Sequence, residues 1–371
     1  MSNILYITNN LSGSGGLERV LSIKTNHLIN NYGYNIHIAI ISGDSKNLFY
    51  DFNDKINFHK LIIKKKKYLF FTLDYFNKVN NLIKTINPQV VLVCDDGIKA
   101  FLAPLFINNK VPLVYERHAS INLLKKSSSN SIIEAFRFNL LKSFMVFTAK
   151  FYNKFVVLTK TNLKEWNNKN CVVIPNPLSF YPNNVSNLKS KTIITVANHG
   201  FQKGIDRLLL AWSKIHKTIP DWDLKIYGLK DKDNTFEKMA KELNISDSVN
   251  FFNPTKNIMD KYLDASIYAL PSRSEGFGMV LIEAMACGLP CVSFDCPSGP
   301  KDIIDNNKNG FLVDNDDINT FANKLRTLAI DYELRKQMGE NARKKSAAYL
   351  PKNIVPNWHT LILSLLTKRT A

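Results

Sequence analysis

The 371-residue sequence has no uninterrupted apolar run approaching the roughly 18 residues of a membrane-spanning helix. Its start, MSNILYITNN, lacks a basic stretch leading into an apolar core and a small-residue cleavage site, so no secretion signal is expected and the protein is expected in the cytoplasm. No C-x-x-C occurs among Cys94, Cys171, Cys287, Cys291 and Cys296, and their spacing fits no zinc pattern. They read as reduced core thiols. Neither an aromatic recognition motif nor a basic helix-turn-helix is present, which ranks nucleic acid last among partners. Acidic residues are few beside basic ones, 31 against 49, for a net charge of +18. That excess calls for an anionic partner: nucleic acid, a membrane surface or a phosphorylated substrate.

The length suits two domains, each with its own core. Short β-branched runs alternate with segments of helical period through the first half: NILYIT, NIHIAIIS, VVLVCD, PLVYER, FVVLT and CVVIP, with helices near 17–30, 73–86, 98–107 and 132–152. Such alternation argues for a parallel sheet covered on both faces, hence an α/β class. The Pro-, Asn- and Ser-rich stretch from Ile174 to Lys191 reads as an interdomain linker. Beyond it the alternation restarts with TIITVA, LKIYG, VNFF and SIYALPS. KNIVPNWHTLILSLL, at 352–366, reads as a terminal amphipathic helix able to pack on either domain.

TNNLSGSGGLERVL, residues 8–21, follows a strand and leads into a helix, the order of a phosphate cradle. The dinucleotide fingerprint needs a third glycine where Glu18 stands, so Gly13 and Gly15 match it in part; Asp44 keeps a ribose contact, and with it NAD, open. A tight turn before a helix is the plain alternative.

PSRSEGFGMVLIEAMACGLPCVSFD, residues 271–295, reads strand, glycine-bearing turn, helix, glycine stop, strand. Gly276 and Gly278 leave the turn unobstructed, so backbone N–H groups of Phe277, Gly278, Met279 and Val280 can face an anion at the helix start. Glu275 precedes the helix and Glu283 lies within it, so two carboxylates sit at different depths around one loop, a gap a nucleotide-sugar would span. Paired carboxylates also suit glycoside hydrolysis. Glu283 alone reads equally as a solvated helix residue, although its apolar neighbours argue against full exposure.

These residues carry a family resemblance. SEGFGMVLIEAMACGLPCVSFDCPSGPKDII resembles the signature, with its E-x7-E motif, of retaining family 4 glycosyltransferases of bacterial surface-polysaccharide type, which have the GT-B fold of two Rossmann-like domains facing across a cleft. GGLERVL resembles their first loop, VVIPNPL their hinge and VANHGFQKGIDRLLLAW the first loop of their second domain. The resemblance implies an acceptor domain over 1–177, a nucleotide-sugar domain over 178–354, and a C-terminal helix over 355–371 packing back on the first. It implies that Glu283 holds the ribose, Glu275 the donor-sugar hydroxyls, and Lys203 and the amides of Gly276 to Val280 the diphosphate. Gly15 and Gly16 would let the first loop close over the donor, and His118, in VYERHAS, would stand near the transferred sugar, a core or loop histidine being the plain alternative. His199 and His216 are left as structural.

The sequence departs from the family where Asn198 replaces an arginine that contacts the diphosphate; an amide donates a hydrogen bond there without the charge. The YGLKDKD turn lacks a second glycine, with Lys230 and Lys232 as cations that would compensate. No Asp-x-Asp signature appears in a suitable loop, so neither a metal nor a cofactor is expected. The resemblance implies a UDP-linked hexose or N-acetylhexosamine as donor and a glycan or lipid-linked acceptor in capsule, O-antigen or lipopolysaccharide assembly. The lysines of IIKKKKYLFF and the bases of 137–154 suit an anionic membrane surface; the alternative is a solvated turn and a core helix with snorkelling bases. A nucleotide-sugar 2-epimerase and a non-catalytic scaffold remain the competing readings.

Overall fold

The computed structural model describes residues 2–43, 48–63, 68–107, 110–121, 132–166 and 168–367. Asp44 and Lys64 to Lys67, invoked above for ribose and membrane contact, lie outside the described residues. The chain divides into two compact units, one of Met1–Pro177 with Pro351–Ala371 and one of Leu178–Leu350.

In the first unit seven strands form one parallel sheet: β1 (Asn3–Thr8), β2 (Asn35–Ile40), β3 (Asn57–Lys60), β4 (Val90–Cys94), β5 (Leu113–Glu116), β6 (Lys154–Val157) and β7 (Cys171–Val173), in the order β3-β2-β1-β4-β5-β6-β7. Val90–Cys94 and Leu113–Glu116 are buried at every position, as parallel strands covered on both faces require. From β1 the chain builds outward to β3, then returns to the other side of β1 with β4. Loops 9–15 and 95–97 therefore part at a topological switch point, where open α/β sheets bind ligands. Asn9 Nδ2 donates to Asp95 Oδ1 at 2.7 Å and ties them together.

The second unit repeats the plan with β8 (Thr192–Val196), β9 (Asp223–Tyr227), β10 (Val249–Phe252), β11 (Ile267–Leu270), β12 (Cys291–Phe294) and β13 (Gly310–Val313), all parallel, in the order β10-β9-β8-β11-β12-β13. Its switch point lies between β8 and β11. Leu208, Leu209, Trp212 and Ile215 of the helix Ile205–Ile215 pack with Phe294, Phe321 and Leu325 in the core of this unit.

The terminal helix Pro351–Leu366 belongs to the first unit and packs on the helix Gly16–Tyr32. It starts one residue before the expected Lys352, because a proline in the first helical position gives up an N–H that has no partner there, and the part of the chain that joins the first unit begins at 351 rather than 355. No helix among the described residues is long and apolar enough to cross a membrane.

Candidate active site

At the switch point of the second unit, the loops after β8 and β11 carry Lys203 and Glu275. Lys203 ends a 3-10 turn, Phe201–Lys203, and Gly204 follows at φ +65°, where a Cβ would stand 2.1 Å from the Pro271 carbonyl oxygen. Only glycine lets the two loops pass so closely. Lys203 Nζ then lies 2.7 Å from Glu275 Oε1, which also accepts from Ser272 Oγ at 2.6 Å. Arg273 fastens the same loops by a two-pronged pair with Asp206, at 2.8 and 2.6 Å. Glu275 is buried, whereas Lys203 keeps a third of its surface exposed.

Gly278, at φ +94°, turns the chain into the helix Met279–Ala286. Gly299 approaches this turn so closely that a Cβ there would lie 2.2 Å from the Phe277 carbonyl oxygen. The Phe277 and Met279 side chains are buried, with the Phe277 ring edge-on to Tyr349 at 5.6 Å. What these two residues could offer a ligand is their backbone N–H groups, at a helix start where such groups lack intrahelical acceptors. Glu283 is fully buried on the same helix; its carboxylate accepts from Ser179 Oγ at 2.6 Å and from Tyr262 OH at 3.5 Å. This settles its exposure: the carboxylate is no solvated helix residue.

Asn198 is exposed after β8, and its Oδ1 accepts from Leu229 N–H at 2.9 Å, leaving Nδ2 as the donor for an anion. Lys230, a cation expected to offset Asn198, is 3.0 Å from Glu237 Oε1 and already partnered. His199 has an enclosed side chain packed edge-on to Phe236 and Phe251, with Nδ1 3.6 Å from Asp231 Oδ1; burial pushes its pKa down. His199, Asp231 and Glu237 form one group of metal-ligating types among the described residues. The Thr235 N–H and hydroxyl hold Asp231 and Lys230 holds Glu237, so this group reads as a structural anchor of the β8 and β9 loops. A separate concavity of about 430 Å³, lined by Val185, Leu188, Tyr332 and Arg343 among others, contains none of the candidate residues.

In the first unit, Gly15 caps the helix Gly16–Tyr32 with extended backbone. A Cβ on Gly13 or Gly15 would meet the Glu18 carboxylate at 2.7 or 2.5 Å. The glycine loop therefore wraps the chain's own acid, at the helix end that favours negative charge. Burial pushes the Glu18 carboxyl up, with a backbone hydrogen bond and His118 acting against it. Glu18 enters the sequence reading only as a mismatch to a glycine fingerprint, and its packing in the loop was not legible there.

His118 follows β5, with its backbone N–H donating to Asp96 Oδ1 at 3.1 Å and its Nε2 3.1 Å from Glu116 Oε1. Glu116 is paired through Oε2 with the buried Lys24. Burial alone would push Glu116 up; the Lys24 ammonium and then His118 outweigh it and hold the carboxyl well below the glutamate range. A depressed carboxyl contributes stability that is full above its unfolded value, near 4.5, and drains away as pH falls below it. Acid denaturation should therefore be steeper below that pH for the natural protein than for Lys24→Met/Glu116→Leu; equal slopes would contradict the assignment.

Comparison with known proteins follows the same two halves. Residues 180–345 match the family model described as Glycosyl transferases group 1, and residues 14–150 the model Glycosyl transferase 4-like. An uncharacterized glycosyltransferase of Haemophilus influenzae is 33% identical over 373 residues, covering 98% of this chain and all of that relative. The chain belongs to the glycosyltransferases. This glycosyltransferase is also 27% identical to the amylovoran biosynthesis glycosyltransferase AmsD of Erwinia amylovora, over 98% of this chain and all of AmsD. A mutant of TarM from S. aureus, solved in complex with fondaparinux, alpha-GlcNAc-glycerol and UDP, superimposes with a TM-score of 0.80 at 16% identity, over 98% of this chain and all of that one. The shared fold is GT-B, and the two parallel sheets described above are its Rossmann-like halves.

Proposed function

We propose that this glycosyltransferase moves a hexose or N-acetylhexosamine, with retention, from a UDP-sugar bound by the second unit to a glycan or lipid-linked saccharide in surface-polysaccharide assembly. The observation that carries this reading is the Lys203–Glu275 pair at the β8/β11 switch point, followed on the β11 side by the glycine turn and helix Met279–Ala286. Lys203 and the backbone N–H groups of residues 276–280 meet the diphosphate, Asn198 adds a neutral donor, Glu275 binds sugar hydroxyls, and Glu283 holds the ribose through two hydrogen bonds. A ribose reaching Glu283 displaces the Ser179 hydroxyl. The UDP and alpha-GlcNAc-glycerol in the TarM complex, and the polysaccharide context of AmsD, support the donor and acceptor classes.

The sugar–phosphate bond breaks, the acceptor hydroxyl enters on the face the diphosphate leaves, and a phosphate oxygen takes the hydroxyl proton. The protein supplies preorganised positive charge for the leaving group, and no metal takes part. Incubation of a UDP-sugar panel with acceptor in buffer containing EDTA, followed by NMR of the product, tests this. The reading expects a glycoside of unchanged anomeric configuration; an inverted product, or activity abolished by the chelator, contradicts it. An epimerase would instead convert the donor without acceptor.

The first unit offers a surface for a lipid-linked acceptor. On the helix Ile132–Ala149, Ile133, Phe136, Leu140 and Phe147 are 58–68% exposed and fall within about 60° of one another around the axis. Phe151 and the exposed bases Arg137 and Lys150 extend the patch. A core helix would bury this stripe, so its exposure favours an anionic bilayer as the partner. Flotation with phosphatidylglycerol vesicles should carry the natural protein upward and leave Phe136→Ser/Leu140→Ser behind. Equal flotation of the variant would remove the helix from the account.

A further inference from the structure

Behind His118 lie three buried groups with no part in donor binding: Lys24, Glu116 and Cys94. Lys24 sits in the middle of the helix Gly16–Tyr32 with its side chain fully enclosed. Its ammonium pairs with Glu116 Oε2 and lies 4.0 Å from the centre of the Trp358 ring and 5.0 Å from that of Tyr6. The Cys94 thiol donates to the same carboxylate oxygen at 3.1 Å. Two charges taken this far from water recover little net stability, and an apolar pair of similar volume would serve packing as well. Packing alone therefore gives a weak reason for the pair.

The other carboxylate oxygen supplies a better one. Glu116 Oε1 and His118 Nε2 are shut off from solvent and lie 3.1 Å apart, and neither makes an aligned hydrogen bond to any described residue, so the carboxylate oxygen and the ring nitrogen stand within reach of each other with no competing partner. With Oε2 committed to Lys24, the carboxylate stays ionised and Oε1 can only accept. The imidazole proton then belongs on Nε2, which makes Nδ1 the acceptor. The other charged groups around the ring are Glu18 and Lys24 from the helix Gly16–Tyr32, and Asp96 after β4, itself paired with Arg117 at 3.2 Å.

We propose that the buried Lys24–Glu116 pair is a positioning device for His118, fixing its proton on Nε2 and presenting Nδ1 as the acceptor for a hydroxyl of the transferred sugar. This rests on the proposed transfer and on the family resemblance, which implies a place for His118 near the transferred sugar. Lys24 holds the charge of Glu116, Glu116 holds the tautomer of His118, and neither touches substrate. The C-terminal helix enters the site through Trp358, whose ring covers the lysine.

The test is 15N NMR of the full-length protein labelled at histidine, with the His118 signals assigned by their loss in His118→Ala. The ring shifts should place the proton on Nε2 in the natural protein. In Lys24→Met/Glu116→Leu, which strands no buried charge, both tautomers should appear, and kcat should fall about tenfold with the donor KM unchanged. A proton on Nδ1 in the natural protein overturns the proposal without recourse to any variant. An unaltered tautomer and rate in the double variant overturn it equally. The tautomer is read without substrate, so it decides the point even if the transfer reading fails, and its own failure leaves transfer standing.

Discussion

Replacing Lys203 with methionine is expected to lower kcat by about a hundredfold to a thousandfold, the usual cost of removing one preorganised donor from a developing anion. Lys203 is a third exposed on a turn that Gly204 and the Arg273–Asp206 pair hold in place, so the fold does not depend on its ammonium. The loss has two origins. On the proposed reading the departing diphosphate loses a cation, and Glu275, which is 7% exposed, loses the partner that orients it. Lys203→Arg retains the charge and should recover part of the rate, whereas Glu275→Gln should not. Steady-state kinetics on purified variants checks this; an unchanged kcat for Lys203→Met would remove the lysine from the chemistry.

The second large effect falls on donor affinity. Glu283→Gln replaces a carboxylate that accepts two hydrogen bonds with an amide that accepts only through one oxygen, at a cost of about 1.5–3 kcal/mol for a charge-assisted bond. Donor KM should rise about tenfold to a hundredfold, with kcat little affected, since the ribose is remote from the bond that breaks. The isosteric change keeps the helix Met279–Ala286 packed and leaves Ser179 and Tyr262 with a partner. A fall in kcat at unchanged KM would place Glu283 at the reacting centre and contradict its role as a ribose ligand.

Much of this site was legible because its marks lie close together in sequence. Glu275, Gly276, Gly278 and Glu283 fall within nine residues, and the strands around them are short apolar runs that the parallel sheet buries completely. The pairings within the site depend on residues that only topology brings together. Lys203 and Glu275 are 72 positions apart, and Ser179 and Glu283 are 104 apart. Lys24, on the face of an amphipathic helix, has the sequence signature of a surface lysine; its burial follows from the return of the terminal helix over it.

Some elements were missed for local reasons. β3, Asn57–Lys60, carries polar residues at a sheet edge and shows no apolar alternation. The helix Tyr332–Ser346 has its signal in the cap rather than in an apolar stripe, Asp331 accepting from the Leu334 N–H, whereas the helix Ile318–Ile330 shows both, Asp317 accepting from the Thr320 N–H ahead of Phe321, Leu325 and Leu328 at helical spacing. The helix Ile132–Ala149 misled in the opposite sense. Its phenylalanines suit a core in composition, yet the fold leaves Phe136 and Phe147 facing outward.

The central claim is that the second unit binds a uridine diphosphate sugar through Glu283 and Lys203. Thermal unfolding in the presence of UDP, GDP, ADP, their sugar conjugates and NAD tests it most directly. A ligand that binds only the folded state stabilises it by about 2.7 kcal/mol at a hundredfold excess over Kd. The account predicts a rise in Tm with UDP or a UDP-sugar that is absent with NAD and lost in Glu283→Gln. Stabilisation by NAD alone, or by no nucleotide at all, would contradict it.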